Sequence, residues 1–385
     1  VAAGSLDANL DEIGYRSHGH RWGYRFFLGA LAGIDRRAHE AIVAPLLDEE
    51  GRELIGAHRI RYDYLVIALG AVSDDFGTRG ALEHCLSLDD RATADRFRHQ
   101  LLNQCLRVSR AMQADPAADA HVRIAVVGGG ATGVELAAEL YNSAGALRHY
   151  GLEVFDESRL EVTLIEAGPR ILPALPERLA DAARAELEAL GVRVMTSAKV
   201  TEVTREAIVT DGGERIQAEL KLWAAGVRGA LPPDMDGLEL SRANQLVVRP
   251  TLQTSRDERI FAIGDCCCCV PPGSETAVPP RAQAAHQMAS AAFANLDRLA
   301  RGRPLRAFAY KDHGSLVSLS RFSTVGSLMG NLIGGRMAIE GRLARFVYKS
   351  LYRMHLIAVH GWLKGLALLL VGRVNAIVRP RLKLH

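Results

Sequence analysis

The sequence predicts an α/β fold built on a parallel sheet with crossover helices, and three observations predict it. Val122-Arg123-Ile124-Ala125-Val126-Val127 is apolar at all but one position, as a strand buried on both faces requires. It runs straight into Gly128-Gly129-Gly130-Ala131-Thr132-Gly133 and then into a helix-forming stretch from Val134 to Asn142. A second apolar run, Val162-Thr163-Leu164-Ile165-Glu166, completes a strand–helix–strand unit.

The other elements follow in chain order. Arg25-Phe26-Phe27-Leu28-Gly29 reads as a short strand, and Tyr64-Leu65-Val66-Ile67-Ala68-Leu69-Gly70 as a buried strand ending in glycine. Asp89 to Met112 reads as helix, and the polar stretch Ala114 to Asp119, which contains Pro116, as a linker. Beyond the central unit, a helix from about Glu177 to Leu190 is closed by Gly191, with strands near Arg193 to Met195 and Leu220 to Ala224. Residues 118–234 thus read as one nucleotide-binding domain. After Pro232-Pro233 come strands at Leu246 to Val248 and Ile260 to Asp265, a Pro-rich loop, and a helix opening near Arg281. From Leu343 onward the pattern is helical and amphipathic.

The 385 residues suffice for two or three domains, and 48% hydrophobic with 24% charged residues is ordinary for a globular enzyme. A net charge of +3 gives no reason to expect nucleic acid as a partner. The charge is uneven. From Arg336 to the end, ten Lys/Arg face Glu340 alone, and Arg342, Arg345, Lys349 and Arg353 fall on one side of a helix whose other side carries Leu343, Val347, Leu351, Met354 and Ala358. A basic and apolar helix of this kind suits an anionic lipid bilayer surface. The run Leu366 to Val371 is too short to span one. Six cysteines, four of them adjacent from Cys266 to Cys269, point to a reducing compartment rather than a disulfide framework. Cys266 and Cys269 have C-x-x-C spacing, yet two further cysteines lie between them, and no metal site is expected. The chain opens with Val1 and shows no signal peptide.

Gly128, Gly130 and Gly133 form G-x-G-x-x-G between strand and helix. The first permits the tight turn, the second the close approach of a pyrophosphate, and the third close helix–strand packing. The helix N-terminus then presents free N–H groups and a positive dipole end to the phosphates. Glu166, ending the next strand, is placed to accept the ribose hydroxyls of NAD and to repel the extra phosphate of NADP. It lies 33 residues past Gly133, more than the usual ~20, so Ser143 to Arg159 reads as an insertion.

Three motifs and the tail resemble one family. Gly128 to Leu140 (GGGATGVELAAEL), Ala262 to Cys266 (AIGDC), Ala282 to Gln287 (AQAAHQ), and the segments Gly314 to Gly330 and Arg379 to His385 are similar to type II NADH dehydrogenase, the single-subunit NADH:quinone oxidoreductase. The resemblance implies a two-dinucleotide-binding-domain flavoprotein, glutathione-reductase-like, with a C-terminal amphipathic helical membrane-anchoring region. It divides the chain into 1–117 and 235–325 as the two parts of an FAD-binding domain, 118–234 as the NADH-binding domain, and 326–385 as the membrane-association region. The family begins with its own G-x-G-x-x-G for FAD. This chain shows none before residue 118, so the sequence reads as N-terminally truncated.

The resemblance also implies roles. Gly70 and Gly264 give close approach to FAD, Asp265 bonds the flavin ribitol, and Ala282 and Gln283 lie under the flavin ring. Gln283 and Gln287, four apart and so on one helix face, stand near the quinone pocket, with His286 a packing or pocket residue. Glu135, in the first turn after the glycine loop, sits near the nicotinamide and assists proton movement. The implied reaction passes electrons from NADH through FAD to a membrane quinone, ubiquinone or menaquinone, without proton pumping. The implied location is peripheral, on the cytoplasmic face of the inner membrane, with a homodimer possible. Two other readings stand beside it: a non-catalytic fragment binding NADH or lipid, and another flavoprotein reductase such as a sulfide:quinone reductase, which should carry paired cysteines at the flavin.

Overall fold

The computed structural model describes residues 13–115, 117–147, 157–319, 323–330, 335–340, 361–363, 365–368 and 370–371. They form two compact units, one comprising Ser73–Gly226 with the described residues from 313 onward, the other 13–72 with Val227–Asp312.

The chain starts in the second of these units. Helix α1 (Tyr15–Trp22) stops at Gly23, whose left-handed φ of 76° turns the chain back on the helix end. The strand expected at Arg25–Gly29 is absent; residues 24–30 are irregular, with Phe27 and Leu28 exposed. Those residues have strand composition but, among the described residues, no neighbouring strand to take their N–H and C=O groups, and pairing makes a strand. It begins at β1 (Leu31–Asp35), which forms an antiparallel sheet with β2 (Glu40–Val43) and β5 (His58–Arg61). The hairpin β3 (Leu46–Leu47) and β4 (Glu53–Ile55) lies between β2 and β5 in sequence, and β6 (Leu65–Ile67) and β7 (Ala71–Ser73) follow.

The other unit opens with α2 (Ala81–His84), β8 (Leu86–Ser87) and α3 (Arg91–Ala114). A capping box starts α3: the Asp90 carboxylate accepts the Thr93 N–H at 2.7 Å, and the Thr93 hydroxyl accepts the Asp90 N–H at 3.4 Å. Ala94, Phe97, Leu101, Cys105 and Val108 recur every three or four residues and make its buried stripe. Then come β9 (Val122–Val127), α4 (Ala131–Leu147), β10 (Leu160–Ile165), α5 (Glu177–Ala189) and β11 (Arg193–Met195). An antiparallel sheet of β12 (Val200–Val203), β13 (Ala207–Thr210) and β14 (Arg215–Gln217) precedes β15 (Leu220–Trp223). The parallel sheet has the order β11-β10-β9-β15-β8, with Val122 opposite Leu160 and Val127 opposite Ile165.

Two features differ from the sequence reading. β8 and α3 belong with this sheet rather than with the flanking segment 1–117, because β8 extends it beside β15 and α3 fills its core. The stretch read as an insertion from Ser143 is helical as far as Leu147, and a 3-10 turn, Glu157–Arg159, leads into β10.

Back in the second unit, β16 (Val227–Gly229) pairs with β7. Strands β17 (Leu246–Val248), β18 (Gln253–Thr254), β19 (Asp257–Ala262) and β20 (Cys267–Cys269) join β6 in a five-stranded sheet of order β20-β17-β18-β19-β6. Helix α6 (Ala282–Ala300) buries Ala284, Met288 and Ala292 in the same core as Phe261 and Cys266.

The chain then builds an antiparallel sheet, β21 (Gly314–Leu319), β22 (Ser323–Gly330) and β23 (Gly335–Glu340), within the first unit, where Val317 joins the core of α4 and α5. The boundary expected at 325/326 between the flavin segment and the membrane-association region falls within β22, and strands continue as far as Glu340. The amphipathic helix read over Leu343 to Ala358 lies outside the described residues. Among the described residues no helix is long and apolar enough to cross a membrane.

Candidate active site

The glycine turn stands at the C-terminal end of β9 and runs into α4. Gly128 has a φ of 113°, and a Cβ there would meet the Ala224 carbonyl group at 2.6 Å. A Cβ on Gly133 would overlap the carbonyl oxygen of Gly128, so helix and strand can approach only with glycine. Gly130 is different: no atom lies within 4 Å of where its Cβ would be. The loop is therefore closed at two glycines and open at the third, which is the side a diphosphate must reach.

Glu166 follows β10 directly. Its carboxylate accepts two backbone N–H groups, Gly129 at 2.6 Å and Gly168 at 2.6 Å. The Gly129 carbonyl in turn accepts the Leu172 N–H at 2.7 Å. A Cβ on Gly129 would meet Glu166 and Ile171 at 2.9 Å. Gly129 and Gly168 were not singled out from the sequence; the run of three consecutive glycines was the signal for the first. Glu135 lies half-buried in α4, one turn from the open side of the loop.

The second constellation lies in the other unit. β6 and β19 are parallel, with Ile67 opposite Ala262, so Gly70 and Asp265 each stand three residues beyond the last paired position, at the same sheet end. Gly70 has a φ of 71° and open space where a Cβ would be; Gly264 has a φ of 70°. The first turns of α6 pack against Gly264: a Cβ there would lie 3.5 Å from Ala285, and the Gly264 N–H points to the Met288 sulfur at 3.3 Å. The N-cap residue of α6, Arg281, makes no side-chain cap, and the positive end of the helix lies at this sheet end. The Asp265 carboxylate is half-buried and makes no hydrogen bond or ion pair among the described residues; burial raises its pKa. A desolvated acceptor beside two glycines and a helix N-terminus fits a polyhydroxyl, anionic group such as FAD.

Gln283 and Gln287 do share a face of α6, and both turn to the segment after the helix. Gln283 donates to the Asp312 carboxylate at 3.0 Å. Gln287 donates to the Lys311 carbonyl at 2.8 Å and accepts the Lys311 N–H at 3.0 Å. Lys311 and Asp312 escaped the sequence reading, since nothing local marks two residues 24 and 29 positions away as partners. The cysteine run is largely buried. Cys267 and Cys269 lie in the buried strand β20, and burial pushes the Cys266, Cys267 and Cys269 thiols up, Cys269 to about 11. Such thiols stay protonated near neutral pH and are poor nucleophiles or ligands. Among the described residues no group of His, Cys, Asp or Glu is arranged to hold a metal.

Three comparisons bear on the family to which the chain belongs. The pyridine nucleotide-disulphide oxidoreductase model matches residues 20–289, which defines the class. A type II NADH:quinone oxidoreductase of Haemophilus influenzae is 44% identical over 396 residues, covering 100% of this chain and 89% of the relative. A protein of the same description from Staphylococcus aureus is 31% identical over 283 residues, covering 72% of this chain and 68% of the relative. The chain belongs to the type II NADH:quinone oxidoreductase family. Among solved structures, NDH2 from Plasmodium falciparum in complex with NADH shares the fold, with a TM-score of 0.79, 18% identity, and coverage of 99% of this chain and 91% of that one.

Proposed function

We propose that this protein passes electrons from NADH to a membrane quinone through bound FAD, without moving protons across the membrane. The arrangement that carries this reading is the Gly128–Gly133 turn, sterically closed at its ends and open over Gly130, in a chain of this family. Bound FAD supplies the acceptor for a hydride and the donor for the quinone.

The protein's own groups bind and orient. The α4 N-terminus holds the NADH diphosphate, and Glu166 takes the ribose hydroxyls with the lone pairs left by Gly129 and Gly168. Asp265 accepts from the flavin ribitol, and Gly70, Gly264 and Ala282 let the flavin come close. With FAD bound, the positive end of the α6 dipole would favour negative charge on the flavin. Gln283 and Gln287 belong to the acceptor side, and Glu135 holds a proton near the nicotinamide.

Membrane association is supported by residues 361–371. Trp362 is 75% and Leu363 91% exposed, and Leu366, Leu370 and Val371 are more than half exposed. Aliphatic and indole surface at this density suits the interface of an anionic bilayer. A quinone dissolves in lipid, so an enzyme held at the cytoplasmic face of the membrane would meet its substrate there. The test is NADH oxidation by flavin-loaded protein on quinone-containing vesicles with a trapped pH dye. Quinone-dependent oxidation with no change in lumenal pH is expected. Oxidation that ignores quinone, or that shifts lumenal pH, would refute the reading.

A further inference from the structure

The helix α6 carries a row of amide side chains four residues apart, Gln283, Gln287 and, two steps on, Asn295, with Ala291 between. The segment 304–312 runs back along this row. Asn295, 2% exposed, donates to the Arg306 carbonyl at 2.9 Å and accepts the Arg306 N–H at 2.9 Å. Gln287 does the same to Lys311, donating to its carbonyl and accepting its N–H. Each amide thus pairs with both main-chain groups of one residue, as a neighbouring strand would. Between the two rungs the Phe308 N–H bonds the Pro250 carbonyl at 2.7 Å, and its ring is buried in the core. At the top the Asp312 carboxylate meets the Gln283 amide at 3.0 Å and the Arg281 guanidinium at 3.5 Å.

We propose that Asp312 is a positioning residue of the electron-acceptor site, held at the α6 N-terminus by a ladder of side-chain amides that fastens the 304–312 strap to the helix. This rests on the reading above that the start of α6 lines that site. Gln287 then acts by holding the strap, and Gln283 has its amide oriented by a carboxylate that can only accept. Arg281, drawn to the same carboxylate, is kept beside the first turn of the helix.

The ladder makes a direct experimental demand, because the strap contains two trypsin sites, Arg306 and Lys311, both on exposed residues. Limited trypsinolysis of the full chain, followed by mass spectrometry, reads how firmly the strap is held. Gln287→Ala is expected to speed cleavage after Lys311 by about tenfold. Gln287→Glu, which keeps an acceptor for the Lys311 N–H and loses the donor, should fall between it and the wild type. Gln287 is only half-buried, so these variants test the ladder even where Asn295→Ala fails to fold. Cleavage in Gln287→Ala at the wild-type rate overturns the ladder. In the flavin-loaded protein, Asp312→Asn should raise KM for a short-chain quinone analogue about tenfold with kcat changed less than about twofold, a split that mere loosening of the fold does not produce. Equal changes in both, or none, overturn the positioning role. Wild-type protein that oxidises no NADH overturns the parent reading and Asp312's role with it, while the trypsin result still decides the ladder.

Discussion

The Glu166 carboxylate accepts the backbone N–H of Gly129 at 2.6 Å, which ties the end of β10 to the middle of the phosphate-binding turn. Its other oxygen accepts the Gly168 N–H, so the side chain sets the loop's shape before any ligand arrives. Glu166→Gln keeps one acceptor and turns an NH2 group toward a backbone N–H. An unsatisfied pair of this kind costs about 1–3 kcal/mol. NADH affinity is therefore expected to fall about tenfold to a hundredfold, and the preference for NADH over NADPH to narrow because the charge that repels the extra phosphate is gone. Fluorescence titration with both dinucleotides checks this; an unchanged NADH affinity would show that the loop needs no tie.

Gly133 and Gly130 separate folding from binding. Gly133→Ala forces a methyl onto the Gly128 carbonyl, backbone against backbone, and is expected to destabilise the protein by about 2–3 kcal/mol. Gly130→Ala meets no atom within 4 Å, so the melting temperature stays near that of the wild type. Its methyl stands where the diphosphate must come, and NADH affinity drops at least about tenfold. Paired thermal melts and titrations test both; a stable Gly133→Ala, or a Gly130→Ala that binds normally, would contradict the site.

Asp265 gives a pH-dependent prediction. Burial raises its pKa above the ordinary 3.8, so the stability that it contributes is complete below that value and is lost as pH rises through the folded value. Above that folded value the flavin-free protein carries a partly desolvated charge with no hydrogen-bond or ion-pair partner among the described residues. Asp265→Asn is expected to raise the flavin-free melting temperature at pH 7 by about 1–2 °C, with no gain near pH 3. The same change should weaken flavin binding about tenfold, because an acceptor for the ribitol is lost. Melting curves at the two pH values and flavin titration check the two halves separately.

The exposed apolar residues after Gly361 predict lipid binding. Burying one leucine gains about 1.5–3 kcal/mol, so Leu363→Asp should cut co-sedimentation with anionic vesicles at least tenfold. Undiminished binding would mean that Leu363 and its neighbours do not enter the bilayer.

What the sequence makes legible here is local. β9, the glycine turn, α4 and β10 follow one another in the chain, and each glycine's role follows from its neighbours, so the turn and Glu166 stand where the pattern puts them. Asp265 and the start of α6 are likewise marked by a strand end and by prolines. Pairings across the chain leave no such mark. β8 joins β15 from far upstream, and Gln287 holds Lys311 across 24 residues. Arg25–Gly29 shows the converse, a largely apolar run that reads as a strand and finds no strand partner among the described residues.

The central claim is that electrons enter from NADH bound at the Gly128–Gly133 loop and leave to a quinone. Rapid mixing of flavin-loaded protein with NADH in the absence of oxygen, followed by a quinone analogue, tests it most directly. Loss of the flavin absorbance band on NADH addition, slowed in Gly130→Ala, and its return on quinone addition are predicted. A band that NADH leaves unchanged, or that quinone fails to restore, would contradict the account.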